Sequence, residues 1–494
     1  MTLTPLITAA EGFPALERLA YDAQEELFLS FRIFDPRTRL RTAELREQGL
    51  DTWGDLLALI ARRGVRIRMI LSDFDPLFTS DLHRRAWASA SAFAVRAEGD
   101  VQVLVAPHGQ DAGWLWRTLL WFKIRARVRA LQADDPLKLT PVQRKLLASK
   151  PILRPVTLHQ KCAVADGRAC IIGGLDVDER RFDTPDHDRP AEDTWHDVSM
   201  AVTGDFAATL RAHLADTWNA ALKCGAASLA QRALPIDAAV HPQGTTQLRL
   251  VRTSSTPCTG FRVLEPQPYI TEHEEVLIKA IGAARRSIYI ETQFLRHLPI
   301  ARALAEAASR VSDLQCIILL PAEPDRVMFD GDTGWDARHA QSLQLRALKT
   351  VREGFGDRLA LIAPGKPTTA PVGKAAICDA SPIYVHAKVT LIDDDFGLVG
   401  SANLNGRSMR ADTEASVLFR DAATIQALRA RLADKWLSEA AGSGDIARAA
   451  LWTAEAEANA ARDPEQRRSF ALPFPYERLR RFSRALPILP SNIF

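Results

Sequence analysis

Cysteine is scarce and scattered. The six among 494 residues are Cys162, Cys170, Cys224, Cys258, Cys316 and Cys378. They form no CxxC pair and join no histidine at zinc spacing, which argues against a structural metal site. Their apolar surroundings suggest buried, reduced thiols in a reducing compartment. Long apolar runs are missing too: nothing approaches the ~20 residues of a membrane span. The start, MTLTPLITAAEGFPALERL, lacks the basic stretch and apolar run of a secretory signal. Charge is not lopsided either. Lys and Arg number 63 against 60 Asp and Glu, a net charge of +3. That suits an anionic substrate or surface but is too mild for extended nucleic-acid binding. The expected setting is cytoplasmic, with any membrane contact peripheral. What remains is a globular mix, 47% hydrophobic and 25% charged, in a chain long enough for two or more cores.

The chain reads as one unit written twice. ALERLAYDAQEELFLSFRIF (15–34) and VLIKAIGAARRSIYIETQFL (276–295) each look like an amphipathic helix followed by a strand. Another helix and a strong strand follow each, in GDLLALIARRGVRIRMILSD and ARALAEAASRVSDLQCIILLP. Alternating helices and strands predict an α/β sandwich in each half. The seam is expected near residues 226–247, where the sequence is loop-like.

Each half closes on His-x-Lys-x4-Asp-x6-Gly-small-x-polar. The first copy holds His159, Lys161, Asp166, Gly173, Gly174 and Asp176; the second holds His386, Lys388, Asp393, Gly400, Ser401 and Asn403. On a strand, residues two apart share a face, so each histidine stands beside its lysine. Asp166 and Asp393 sit where a hairpin turn is expected, and serve either the turn or the chemistry. The Gly-small bend then returns Asp176 or Asn403 to the His-Lys pair. An ammonium beside each histidine repels a dication and attracts an anion, so no metal or other cofactor is expected. Two histidines, two lysines and an asparagine facing one cavity suit a phosphodiester. One imidazole can attack phosphorus, the other can protonate the leaving oxygen, and the cations and amide can hold the equatorial oxygens.

Further strings carry a family likeness: GGLDVDERRFDTP, TWHDV (194–198), IYIETQFL (288–295) and IYVHAKVTLIDDDFGLVGSANLNGRSM (383–409). With the duplicated motif, they make the chain resemble a two-motif phospholipase D of the eukaryotic type over residues 15–440. The resemblance implies an α/β fold of two similar lobes, each a mixed sheet flanked by helices, with the active site at their interface. The expected division is 1–235, 236–440 and a C-terminal tail, 441–494. It also implies metal-independent hydrolysis of a glycerophospholipid head group to phosphatidic acid and an alcohol. The route is a phosphohistidine intermediate, which permits transphosphatidylation. By analogy His159 is the nucleophile and His386 the acid. In relatives a carboxylate past each motif orients the catalytic histidine. Glu414 is the one expected after the second motif, serving His386, and Asp197 is its counterpart after the first. Asp176 opposite Asn403 makes the two half-sites unequal. Glu291 and Gln293 either support the site or bond within the sheet.

The expected partner is phospholipid at a membrane surface, with no nucleic acid. A nuclease and a cardiolipin-synthase-like phosphatidyltransferase use the same motifs and stay open as alternatives. A dead scaffold is disfavoured by two intact motifs. The stretch WLWRTLLWFKIRARVRAL (114–131) is expected to pack Trp121, Ile124, Val128 and Leu131 against the body, leaving Lys123 and Arg127 in solvent. The Arg-rich tail 472–494 is expected to clasp the body.

Overall fold

The computed structural model describes residues 2–96, 98–149, 151–238, 247–486 and 489–494. Two large mixed sheets dominate. The first holds β1 (Leu3–Ile7), β2 (Glu26–Phe31), β3 (Arg66–Ser72), β4 (Val101–Ala106), β5 (Cys162–Ala165), β6 (Ala169–Gly173), β7 (Val198–Thr203) and β8 (Ala227–Ala230). The second holds β9 (Leu248–Thr256), β10 (Gln267–Thr271), β11 (Ser287–Glu291), β12 (Gln315–Leu319), β13 (Leu359–Ile362), β16 (Val389–Ile392), β17 (Phe396–Gly400) and β18 (Glu414–Phe419). A small separate ribbon pairs β14 (Gly365–Thr369) with β15 (Ala380–Pro382). The fold is α/β, with helices on the sheets, as the alternating pattern predicts.

The strand orders correspond. The first sheet runs β1-β7-β6-β5-β2-β3-β4-β8 and the second β10-β9-β18-β17-β16-β11-β12-β13. Matching β1 to β9, seven strands agree in order, and β2-β3-β4 and β11-β12-β13 are the parallel parts. Each sheet then has one extra edge strand, at opposite ends. One of these, β8, lies in the stretch expected to be a loop. Its short, small-residue sequence gives little strand signal, and antiparallel pairing with β4 supplies what propensity does not. The rest of the expected seam, 239–246, lies outside the described residues.

A single apolar cluster runs through both sheets. It includes Phe28, Ile172, Met200 and Trp218 from the first half and Leu250, Val399, Val417 and Trp436 from the second. Each large side chain so buried contributes about 1.5–3 kcal/mol, which holds the sheets at a fixed mutual position. Close backbone approach at the ends of the hairpins also matters. A Cβ at Gly173 would meet the Ser199 hydroxyl at 2.2 Å, and one at Gly400 would meet that of Ser416 at 2.0 Å. The tail does clasp the body: Pro473 bridges Ile362, Leu479 is buried, and Arg478 pairs with Glu323.

Candidate active site

His159 and Lys161 lie just before β5, and His386 and Lys388 just before β16. They are therefore at the strand mouths and not inside the ladders, as strict strand alternation would have it. The backbone there pairs across the molecule instead. Leu158 bridges Thr413, and Val385 bridges His196. The His159 N–H donates to the Thr413 carbonyl and the His386 N–H to that of His196, both at 2.8 Å.

These bridges exchange the carboxylates. Glu414 follows Thr413 and lies 3.0 Å from His159 Nδ1. Asp197 follows His196 and lies 2.6 Å from His386 Nδ1. The expectation that Glu414 serves His386 is thus corrected: each histidine takes its carboxylate from the other half of the chain. With Nδ1 engaged, each Nε2 is left without a hydrogen-bond partner among the described residues, available to a substrate. Lys161 Nζ donates to the His159 carbonyl at 2.6 Å, and Lys388 Nζ donates likewise to the His386 carbonyl.

The site is buried and crowded with cations. Burial, then Lys161, holds His159 well below its usual range; burial, then Lys388, does the same to His386. Burial lowers Lys388 to about 7 against the pull of Asp197, and lowers Lys161 against that of Asp176. Burial raises Glu414 to about 8 and pushes Asp197 up as well. Every group is thus biased toward its neutral form. An entering phosphodiester anion would reverse that bias for the lysines and histidines.

Asn403 and Asp176 are both buried near the centre. Asp176 lies 3.8 Å from Lys161 Nζ and accepts the backbone N–H groups of Arg32 and Ile33. The Asn403 amide oxygen has no hydrogen-bond partner among the described residues, while its nitrogen is 3.5 Å from Gln293. Asp166 and Asp393, candidates from the motif, do not join the site. Asp166 accepts the N–H groups of Gln24, Glu25 and Glu26, and Asp393 those of Arg285, Arg286 and Ser287. Both have positive φ, 53° and 48°. They are turn residues that cap the start of β2 and β11, and their oxygens are spent on backbone. Against an opposing effect of burial, those three N–H groups hold Asp166 below its usual range. Glu291 also bonds internally, to His196, Tyr289 and Trp436.

Several residues near the histidines escape motif reading. Arg32 and Arg181 are pushed below their usual range by burial, and both are drawn to Asp176. Arg181 lies 3.3 Å over the Trp195 ring, which packs against His386. The Ser401 hydroxyl donates to Glu414. The repeat alignment held a signal for Arg32: it falls opposite Gln293 as Asp176 falls opposite Asn403. A cavity of about 440 Å³ opens beside Arg32, lined by Leu71, Phe74, Leu82, Arg85 and Ala86 among others.

A family model described as "Cardiolipin synthase, PLD-like domain" matches residues 277–436. Phospholipase D1 of Schizosaccharomyces pombe is 24% identical over 349 residues, covering 54% of this chain and 25% of that protein. Cardiolipin synthase A of Pseudomonas fluorescens is 27% identical over 278 residues, covering 56% of this chain and 47% of that protein. These matches support membership of the phospholipase D superfamily. It spans less than half the length of these two curated relatives. Among solved structures, the phosphatidylserine synthase of Haemophilus influenzae is similar at a TM-score of 0.49 and 11% identity, over 88% of this chain and 85% of that one. Among the described residues, no helix is long and apolar enough to cross a membrane.

Proposed function

We propose that this superfamily member is a phospholipase D of the eukaryotic two-motif type, cleaving a glycerophospholipid head group through a phosphohistidine. The observation that carries the reading is the pair of histidines, each with a carboxylate on Nδ1 and a lysine beside it. Lobes 1–235 and 236–440, with tail 441–494, are the working units we assign. His159 Nε2 attacks phosphorus while His386 gives its proton to the departing alkoxide. Lys161, Lys388 and Asn403 hold the equatorial oxygens. Asp197 and Glu414 stabilise whichever ring carries charge. His386, now neutral, takes a proton from water, and that water releases phosphatidic acid. The cavity beside Arg32 is roomy enough for part of the lipid to lie off the reacting phosphorus. The lysines supply the charge stabilisation that a metal gives elsewhere, so turnover of a soluble substrate survives chelation.

A second reading is phosphatidyl transfer to a lipid alcohol. It is favoured by the likeness of residues 277–436 to the cardiolipin synthase PLD-like domain and of the chain to cardiolipin synthase A. One assay tests both: phosphatidylcholine or phosphatidylglycerol is supplied with and without a primary alcohol, and products are identified. Phosphatidic acid that gives way to phosphatidylalcohol supports the main reading. Cardiolipin from phosphatidylglycerol alone supports the second. Cleavage of single-stranded DNA with no lipid product defeats both.

A further inference from the structure

Residues 114–132 form two short helices, Trp114–Leu119 and Trp121–Gln132, on a small apolar cluster of their own that includes Trp116, Ile124, Leu131 and Leu153. The expected stripe is only partly inward. Ile124 and Leu131 are buried, but Trp121 is 53% exposed and Phe122 84% exposed. At 100° per residue, Trp121, Phe122, Arg125 and Arg129 share the outward face. Trp114 and Leu119 are exposed beside them, and Phe261, from a loop of the other half, stacks on Trp114 at 5.2 Å. That loop is fastened: the Leu115 N–H donates to the Phe261 carbonyl and the Trp116 indole to that of Arg262.

The charge of this face is one-sided. From residue 112 to residue 133 there is no Asp or Glu, while Arg117, Lys123, Arg125, Arg127 and Arg129 are all basic. Arg117 pairs with Asp111. The other four have no ion pair among the described residues; Arg125 only lies over Trp121, at 5.9 Å. A chain with almost balanced charge has thus gathered unpaired cations around exposed aromatics. Elsewhere its exposed large apolar residues, such as Tyr269, Trp335 and Val372, stand apart in sequence.

We propose that this face docks on an anionic lipid bilayer, the aromatics entering the interface and the cations meeting acidic head groups. Aromatic rings with a polybasic rim are the two signals that peripheral binding needs. A protein groove would match the aromatics but not a rim of one sign. Placement fits the site as well. The Ala112 N–H donates to the Leu153 carbonyl, and the six residue steps from Leu153 to His159 reach at most ~22 Å. The reacting histidine is thus joined by a short segment to the support of the docking face.

The surface adds to the lipid reading and is tested by binding, without turnover, so either can fail alone. The full chain is sedimented with vesicles of phosphatidylcholine, and of phosphatidylcholine with phosphatidylglycerol in equal parts. Thermal melting serves as the fold check. We expect at least ~tenfold tighter binding to the anionic vesicles. Trp121→Ser with Phe122→Ser, and separately Arg125→Glu with Arg129→Glu, should remove that preference while leaving the melt unchanged. Should a double variant melt early, Phe122→Ser alone decides, since that ring touches least of the body. Wild-type-like vesicle binding by the variants overturns the proposal. So does a wild-type chain indifferent to anionic lipid. Concentration-dependent dimers that the same variants abolish would assign the face to a second copy of the chain and overturn it equally.

Discussion

At the end of β2 stands Arg32, with Asp176 as its charged neighbour; at the matching end of β11 stands Gln293, with Asn403. One half-site has a cation and an anion where the other has two amides. Both arrangements are neutral as pairs. Lys161 and the N–H groups of Arg32 and Ile33 also meet Asp176, so its charge is shared among several partners. The carboxylates differ in the same way. Asp197 is short and lies 2.6 Å from His386, with Gly174 leaving it room: a Cβ there would sit 2.2 Å from the carboxylate. Glu414 is longer, lies 3.0 Å from His159, and is steadied by the Ser401 hydroxyl in the place where Gly174 has nothing. A common backbone frame thus carries two different electrostatic settings. On the proposed assignment, the tighter contact falls on the ring that holds the proton, His386, and the looser one on the attacking ring, His159.

The largest test of that difference is to remove each histidine and vary the leaving group. His159→Ala should lose at least about 10⁴-fold with every substrate, since no nucleophile remains. His386→Ala should still release a burst of nitrophenol, an anion that needs no proton, and then stall because the base for hydrolysis is gone. Labelled phosphoryl should map to the peptide holding His159. Label on His386 in the His159 variant would reverse the roles.

The carboxylates should separate next. Glu414→Gln should slow turnover about 10²–10⁴-fold whatever the leaving group. Asp197→Asn should be as damaging with alkyl leaving groups but should spare the nitrophenol burst. Equal losses in both assays would erase the proposed division. Stability should move the other way for Glu414. Its pKa is raised by burial from 4.5 to about 8 in the folded chain, so ionising it costs stability progressively between those values and fully above 8. Glu414→Gln should therefore melt above wild type at pH 9 and close to it at pH 4.

A smaller effect concerns anion binding. Sulfate keeps its charge from pH 6 to 9, whereas Lys388, lowered to about 7, does not. Inhibition by sulfate should weaken by up to about tenfold per pH unit above 7. Lys388→Met should bind sulfate poorly and with a flatter profile. A wild-type profile that is already flat would mean that Lys388 does not meet the anion.

The motif residues and most strands were legible because local pattern determines them. Apolar periodicity marks β2, β3, β11 and β12, and the spacing of His159 and His386 marks the site. The pairing of His159 with Glu414 spans 255 positions, and that of His386 with Asp197 spans 189. No local pattern encodes which carboxylate crosses to which ring, and the nearer one in sequence was the wrong choice. Asp166 and Asp393 had two roles left open by the motif, the turn or the chemistry, and their oxygens go to backbone N–H groups. Their fixed spacing from the histidines reflects the length of a hairpin, whose turn presents a carboxylate to three N–H groups at the start of the neighbouring strand. Trp121 fell outward because helical phase alone cannot tell how wide the underlying support is; only Ile124, Leu131 and partly Val128 meet one.

The crossed bridges, Leu158 to Thr413 and Val385 to His196, have the reciprocity of a twofold dimer contact: one copy's histidine meets the other's acid, and the reverse. Here both copies lie on one chain. Neither half owns a complete relay, so a protease cut between them should be harmless while they stay docked and fatal once they part. Joining the copies also removes a constraint that binds identical subunits. A homodimer must spend every mutation twice, at both related positions. This chain can alter one side only, and Glu facing Asp, with Arg32 facing Gln293, is the freedom that a single covalent link confers.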